Sequence, residues 1–428
     1  MIVNLFLRLK MKLKLFFLLL TTSCSSIVSK LENPVVKHEK KIERDESLKP
    51  TFCQQQGQRY QFISDSPTLD QIFKQTLKKP SGLSLDFIDK LILIHLIEMN
   101  IRPDQSSPSA RLQIALDLND KTYFYDFYSQ KGDGHYTYLY GLDYLLKKFK
   151  PERRLEYYLP WLNQIPQNAF TVSKTFEDFL IKNQEKIKEN PVLAKHYMRG
   201  TEFLKEEETM PKINFEHLFQ EFRKQKNLET VNKESKLIQS TQNDTNINCN
   251  YDMSFYQNSI FLIDKKIPES NLFGYLEKKN AFISSSTQNL DVVKTSEYEP
   301  YILGDSYSRS SAVCLINGNQ KKIWLFSNQS RDPGQHLHHL LKYGLDAQTN
   351  VYSVDQLLRH SRHQFLSDPL RLIIESQRSD EDQIENLLKI NLPIYHSQNL
   401  GNIWAYTKFS ESQHFIIDVR NTGVLVCQ

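Results

Sequence analysis

Five of the twelve histidines crowd into one stretch, His336, His338, His339, His360 and His363. His336 and His339 stand three apart, as do His360 and His363. On a helix an i, i+3 pair lies on one face and can share a metal ion, so two such pairs could offer four imidazoles. Only Asp332 and Asp355 are placed to orient those rings, and Arg359 and Arg362 sit among them. That company suits a polar helix face, so no metal or other cofactor is expected. A second candidate is Ser306, in Tyr301-Ile302-Leu303-Gly304-Asp305-Ser306. A serine nucleophile needs a base within hydrogen-bond reach and donors for an oxyanion. The third is a set of polar residues after apolar runs: Asn328 and Arg331, Asp355, Glu375 and Arg378. In open α/β sheets ligands bind beyond the carboxyl ends of the strands, so these five form a candidate crevice for a polar ligand. The simpler role for such residues is capping helices, for which Ser353 and Ser379 are suited.

Three catalytic families share fragments with this chain. The Gly304-Asp305-Ser306 turn resembles the nucleophile block of SGNH-type esterases, which also carry a Gly-x-Asn-Asp block and a late Asp-x-x-His that are absent here. A turn with glycine between two strands accounts for Gly304-Asp305 without catalysis. Arg359-His360-Ser361-Arg362-His363 resembles the phosphohistidine block of histidine phosphatases, but that block follows a strand and Leu357-Leu358 reads as helix. Lys408 with Asp418 resembles the motif strand of phospholipase D-like proteins, with Tyr406 where that family has histidine.

The elements that must position these residues fall into two expected domains. From 52 to 229 the periodicity is mostly helical: Phe87, Ile88, Leu91, Ile92, Ile94 and Leu96 lie on one buried helix, with His95 a core residue inside it. Thr175-Phe176-Glu177-Asp178 reads as a capped start for a helix through Lys188, Pro191 opens another to about Lys205, and Phe215 to Lys226 suggests a last one. Segment 123–161 holds 13 aromatics, which are expected to pack between helices or, if exposed, to stack on sugar rings. Residues 230–248 are polar and read as a linker. From 249 to 428 short β-type runs (Ile323–Phe326, Val351–Val354, Leu370–Ile374, Leu392–Tyr395) alternate with helical ones near Gln335, up to His363, and Asp380 to Lys389. The expected fold class is therefore a mostly helical domain followed by an α/β domain with a mixed, partly parallel sheet and added antiparallel strands at its tail.

Residues 1–23 carry Arg8, Lys10, Lys12 and Lys14, then the apolar run Leu15–Leu20 and Thr21-Thr22-Ser23 before Cys24. This run is too short to span a bilayer and reads as an export signal. It resembles the bacterial lipoprotein signal, which implies lipid on Cys24 as the mature N-terminus. Cleavage near Ser23 by ordinary signal peptidase and an uncleaved anchor are the alternatives. Met1 and Met11 both stand where such a signal can start. Ser25 in place of Asp implies the outer membrane, with residues 24–51 as a charged tether. The four signal cations account for the whole charge excess: 54 basic less 4 leaves 50, against 50 acidic. A neutral remainder has no footprint for nucleic acid, and 13 glycines in 428 weigh against glycine-loop nucleotide binders.

An exported chain can oxidise its remaining cysteines, Cys53, Cys249, Cys314 and Cys427. Cys314 lies within the apolar run Ala312–Ile316 and Cys427 follows Val424-Leu425-Val426, so the pairing expected is Cys314–Cys427, with Cys53–Cys249 joining the two domain entrances. The function read first is a lipid-anchored envelope protein that binds or scaffolds, with a glycan or an envelope protein as ligand and no catalysis. The rival is an envelope hydrolase in the strand-end crevice, with Glu375 or a histidine as base. A cluster of buried polar groups would favour the hydrolase, and a flat exposed aromatic face on 123–161 the binder.

Overall fold

The computed structural model describes residues 50–54, 59–78, 85–128, 136–224, 238–242, 245–251, 269–295, 302–305, 311–330, 332–367, 370–375, 378, 386, 389, 393–410, 412–420 and 423–428. Two antiparallel sheets lie face to face with helices on both outer sides. The first runs β18-β1-β8-β9-β2-β3, from β1 (Tyr60–Ser64), β2 (Arg111–Leu118), β3 (Lys121–Phe127), β8 (Glu269–Glu277), β9 (Asn280–Thr295) and β18 (Val424–Cys427). A short β10 (Ile302–Asp305) pairs with the far end of β9. The second runs β17-β16-β12-β11-β7-β6, from β6 (Ile238–Gln242), β7 (Thr245–Cys249), β11 (Ala312–Gly318), β12 (Lys321–Asn328), β16 (Asn402–Phe409) and β17 (Ser412–Ile416). Two small ribbons complete the β structure: β4 (Met198–Arg199) with β5 (Glu202–Phe203), and β13 (His363–Ser367), β14 (Leu370–Ile374) and β15 (Ile394–His396).

Alternation along each strand explains the layers, since residues two apart share a face. Ala115, Leu272, Ile283, Val313, Phe326, Trp404 and Phe415 point between the sheets and form one apolar slab. Leu112, Ile114, Phe273 and Phe282 point outward into a core shared with α1 (Leu69–Lys78), α2 (Phe87–Ile101) and α3 (Thr137–Phe149). Helices α4 (Leu159–Gln164), α5 (Lys174–Lys182), α6 (Gln184–Glu189), α7 (Pro191–Tyr197) and α8 (Phe215–Lys224) extend that layer. On the opposite outside, α9 (Pro333–Lys342) and α10 (Val351–Arg359) cover Ile247, Cys314, Ile323, Leu325 and Ile403. Among the described residues no helix is long and apolar enough to cross a membrane.

The expected α/β domain with a partly parallel sheet is not what forms. Helices α9 and α10 follow β12 as one block, and the chain then enters the separate ribbon β13-β14-β15 instead of returning beside β12. Among the described residues parallel pairing is confined to β14 with β15, and both large sheets are antiparallel. The first half is also less helical than its periodicity suggests, because β1, β2 and β3 join β8 and β9 in one sheet. Residues 238–248, expected in a linker, supply the hairpin β6-β7 at the edge of the second sheet.

Local corrections have local causes. Val351–Val354 begins α10, not a strand: the Asn350 side chain accepts from the Ser353 amide at 3.0 Å, and Val351, Val354 and Leu358 then share a buried stripe. Asn350 is therefore the cap, and Ser353 is not. Likewise Ser173 caps α5, ahead of the expected start at Thr175, and Asn183 divides that helix from α6. After Pro191, α7 stops at Tyr197, where Gly200 at φ +63° turns β4 into β5.

All four cysteines after Cys24 are oxidised, but in the other pairing. Cys53 bonds Cys427, and Cys249 bonds Cys314. The expected Cys314–Cys427 bridge cannot form because β11 lies inside the second sheet and β18 at the edge of the first. Cys314 has Cys249 directly opposite it on β7, with 4.1 Å between the Cα atoms.

Candidate active site

The slab between the sheets is apolar in its middle and polar at one end. On β2 the inner face runs Arg111, Gln113, Ala115; on β9 it runs Ile283, Ser285, Thr287; on β8 Ser270 precedes Leu272. Pairing sets Arg111 beside Thr287 beside Ser270, and Gln113 beside Ser285 beside Leu272. The facing sheet contributes a matching row. Asn328 pairs with Asn402 across β12 and β16, and Ser311 stands one step before Ala312, which pairs with Ser327. Ser311, Asn328 and Asn402 therefore lie abreast, opposite the hydroxyl-bearing row of the first sheet.

Ser311 is 5% exposed, and its hydroxyl donates to Gln113 Oε1 across the gap between sheets. Gln113 Nε2 in turn donates to Asp126 Oδ2 at 2.9 Å, and Arg111 grips the same carboxylate through Nε at 2.7 Å and a second terminal N–H. The start of β11 is clamped from behind by Asn250, which accepts from the Val313 amide at 2.9 Å and donates to the Ser311 carbonyl at 3.4 Å. The Cys249–Cys314 bond fixes the same strand three residues on. Beside Asn328, Gly401 adopts φ +113°, and a Cβ there would lie 2.7 Å from Ser330 Cβ and 2.8 Å from the Asn328 carbonyl oxygen. Only glycine fits that turn into β16.

Several groups at this end have no hydrogen-bond partner among the described residues: Ser270 Oγ, Ser285 Oγ, Thr287 Oγ1, both side-chain polar atoms of Asn328, and Asn402 Oδ1. Leaving a buried polar group unpaired costs ~1–3 kcal/mol, and native structures concentrate such groups where function requires them. The other end of the slab contrasts with it, because Asp117 there is matched by Lys322 at 2.8 Å and the Tyr406 hydroxyl at 3.1 Å. A nucleophilic hydroxyl, a carboxamide able to donate to a developing oxyanion, and a polar lining thus meet at one place.

Of the four crevice candidates among the described residues, Asn328 alone belongs to this site. Arg331 lies outside the described residues. Asp355 on α10 accepts from Thr51 Oγ1 and from Arg359 Nε at 2.8 Å. Glu375 accepts from the Arg362 and Leu400 amides at 3.0 Å and from Arg420, and Arg378 donates to the Gln398 carbonyl at 2.9 Å. Asp355 thus ties α10 to Thr51, while Glu375 ties the end of β14 to Leu400 and Arg420, and the three candidates do not converge on one opening.

The histidines divide too. His336 and His339 share α9 as expected, but His360 ends α10 and His363 starts β13. His336 Nε2 bonds Ser330 Oγ at 2.8 Å, while the rings of His339 and His363 stack at 4.1 Å. Burial holds His336 and His339 well below the ordinary imidazole range, helped by Arg362 for the first and by His363 for the second. His363 drops to about 4 by burial and the nearby Lys342. Neutral stacked rings suit packing, and among the described residues no group of three or more His, Cys, Asp or Glu side chains can hold a metal ion.

Ser306 lies outside the described residues, and Gly304-Asp305, expected as a turn, belongs to β10, whose register shifts between Leu303 and Asp305. Lys408, the phospholipase D-like lysine, is an ion-pair partner of Asp120 at 2.6 Å. His95 is satisfied in the core, with Nδ1 at 2.7 Å from the Leu91 carbonyl and Nε2 at 2.9 Å from Ser284 Oγ. The aromatic segment packs inward: Tyr125, Tyr138, Tyr158 and Trp161 are buried, which removes the flat exposed face that a binding role would have favoured.

Ser311 and the hydroxyl-rich strand escaped the sequence reading. The usable signal was a hydroxyl at the head of the apolar run Ala312–Ile316, and the unusual string Ser284-Ser285-Ser286-Thr287-Gln288 after Ile283. A strand with polar groups on both faces yet buried on both must serve something other than packing.

No family model and no curated protein matches the chain. Solved structures do. A point variant of LmbA2991 superposes with a TM-score of 0.65 at 8% identity, covering 89% of this chain and 99% of that one. LmbA2991HD gives 0.62 over the same shares, also at 8% identity. Cephalosporin acylase from Bacillus halodurans gives 0.56 at 7% identity over 86% of this chain and 96% of its own. What these likenesses establish is a shared architecture: two facing antiparallel sheets between outer helices.

Proposed function

We propose that this chain is an amide hydrolase acting outside the cytoplasm, with Ser311 as its nucleophile. The observation that carries the reading is the Ser311 hydroxyl beside the unpartnered Asn328 carboxamide, buried between the sheets of a fold similar to that of a cephalosporin acylase. Ser311 Oγ attacks the amide carbonyl carbon, and Asn328 Nδ2 donates to the oxygen as it becomes negative. Gln113 aims the hydroxyl but cannot take its proton. A hydroxyl at a chain N-terminus can use its own α-amine as base, so the peptide bond between Ser310 and Ser311 is cleaved in the working enzyme. That amine accepts the Oγ proton, returns it to the departing amine, and then activates the water that hydrolyses the Ser311 ester.

The two disulfides support an oxidising location. Lipid on Cys24, preferably at the outer membrane, is part of the same proposal. Palmitate labelling lost on Cys24→Ser supports it, and labelling that persists removes it.

Mass spectrometry of the reduced protein should find a chain beginning at Ser311. Hydrolysis of acyl p-nitroanilides should vanish in Ser311→Ala, and Asn328→Ala should lower kcat ~100–1000-fold, as loss of an oxyanion donor does. An intact chain that turns over equally well in Ser311→Ala refutes the assignment.

A further inference from the structure

The lining of this site also speaks to what it accepts, an inference that rests on the hydrolase reading above. We propose that the acyl group held beside Ser311 is uncharged and carries its own hydrogen-bonding atoms, a hydroxyl- or carboxamide-bearing acid and neither a hydrocarbon nor an anionic one.

Three observations converge on this class. The hydroxyls of Ser270, Ser285 and Thr287 and the carboxamide oxygens of Asn328 and Asn402 are buried and unmatched among the described residues, and register places them around Ser311. A hydrocarbon chain seated there would leave every one of them unpaired, whereas a polar acyl group would satisfy them. Second, the charge in the row is already balanced. Arg111 is committed to Asp126 through two N–H groups, and its guanidinium faces the Tyr128 ring at 4.9 Å. Among the described side chains, an anionic acyl group would have to break that buried pair to gain a cation. Third, the apolar floor of Leu272, Val313, Phe326 and Trp404 begins one row deeper, and there too the Trp404 indole N–H has no acceptor among the described residues.

Sites built on hydrogen bonds discriminate steeply, because an analogue lacking the group strands the site's own donors and acceptors. The experiment uses the full chain and Ser311→Ala with lactamide, gluconamide and succinamide (neutral and polar), hexanamide and phenylacetamide (apolar), and succinamate (anionic). Ligand-induced shifts in melting temperature report binding, and the matching p-nitroanilides report turnover. The neutral polar set should bind ~10-fold or more tighter than the rest, and Thr287→Val with Ser285→Ala should erase that preference. Ser311-dependent turnover with equal or better binding of hexanamide or phenylacetamide overturns the polar pocket and leaves the hydrolase reading standing. Preference for succinamate also overturns it. Polar amides that bind, with the preference lost in the double variant but with no turnover of any class, uphold the pocket and sink the hydrolase. Absence of binding and turnover alike overturns both.

Discussion

Replacing Glu98 with glutamine should make the protein more stable at alkaline pH and flatten its pH dependence there. Glu98 sits on α2 with its side chain fully buried under the first sheet, accepting from Ser66 Oγ at 2.7 Å and from Asn271 Nδ2. Burial raises its pKa from 4.5 to about 8 against the pull of Ser66 and Arg102. The native state thus keeps a proton that the unfolded chain releases above pH 4.5. For an acid whose folded value is raised, the stabilisation is complete below the unfolded value and is lost as pH rises through the folded one. At ~1.4 kcal/mol per pH unit the full loss is ~5 kcal/mol by pH 8, and ~2 kcal/mol of it falls between pH 6.5 and 8. The upper window isolates Glu98, because the buried histidines act with the opposite sign. His95, lowered to about 3 by burial, costs stability only as pH falls below the ordinary histidine value of 6.5. Urea unfolding followed through the buried Trp161, Trp324 and Trp404 measures both slopes. Glu98→Gln keeps an acceptor for Ser66 and cannot ionise, so its midpoint should be level from pH 6.5 to 8. A parent protein that is itself level across that window, or a variant with the parent's slope, would refute the reasoning.

Other perturbations read different parts of the fold. Arg420→Met should destabilise by ~3–5 kcal/mol in chemical unfolding, because it leaves Glu375 and Asp418 buried with one guanidinium fewer, at contacts of 2.6 and 3.2 Å. Gly401→Ala should cost ~1–3 kcal/mol through its positive φ and its approach to the Asn328 carbonyl, and a stable variant would show that the turn relaxes. Non-reducing peptide mapping should recover Cys53–Cys427 and Cys249–Cys314, and a Cys314–Cys427 peptide would contradict the strand order. Cys427→Ser, which opens a loop of 374 residues, should lower stability by ~2–5 kcal/mol.

Strongly periodic helices were legible from sequence: α2, α8 and α9 fall where their apolar spacing puts them, and His95 is the core residue that its neighbours imply. The hairpin β2-β3 was missed although its signal was present. Arg111–Leu118 alternates polar and apolar residues except at Ala115, and Asn119-Asp120 turns with φ of 50° and 65°, the geometry that joins tight hairpins. Sheet partners were not legible, because pairing β1 with β18 or β2 with β9 depends on contacts far apart in sequence, which no local period encodes. The site failed for the same reason. Ser311, Gln113, Thr287 and Asn402 come from four strands, and only register brings them abreast.

The positions of the disulfides bear on what a single break in the backbone would do. A cut between β10 and Ser311 yields two polypeptides that share both sheets: β18 alone crosses into the first, and β6 with β7 alone cross into the second. Each crossing is one seam, β1 with β18 and β7 with β11; Cys249–Cys314 lies across the second, and Cys53–Cys427 ties β18 to the segment ahead of β1. A molecule nicked ahead of Ser311 would therefore run as one band without reductant and as two with it, and neither fragment could drift away under dilution. Reduction would turn a unimolecular fold into a bimolecular one, whose persistence then depends on concentration.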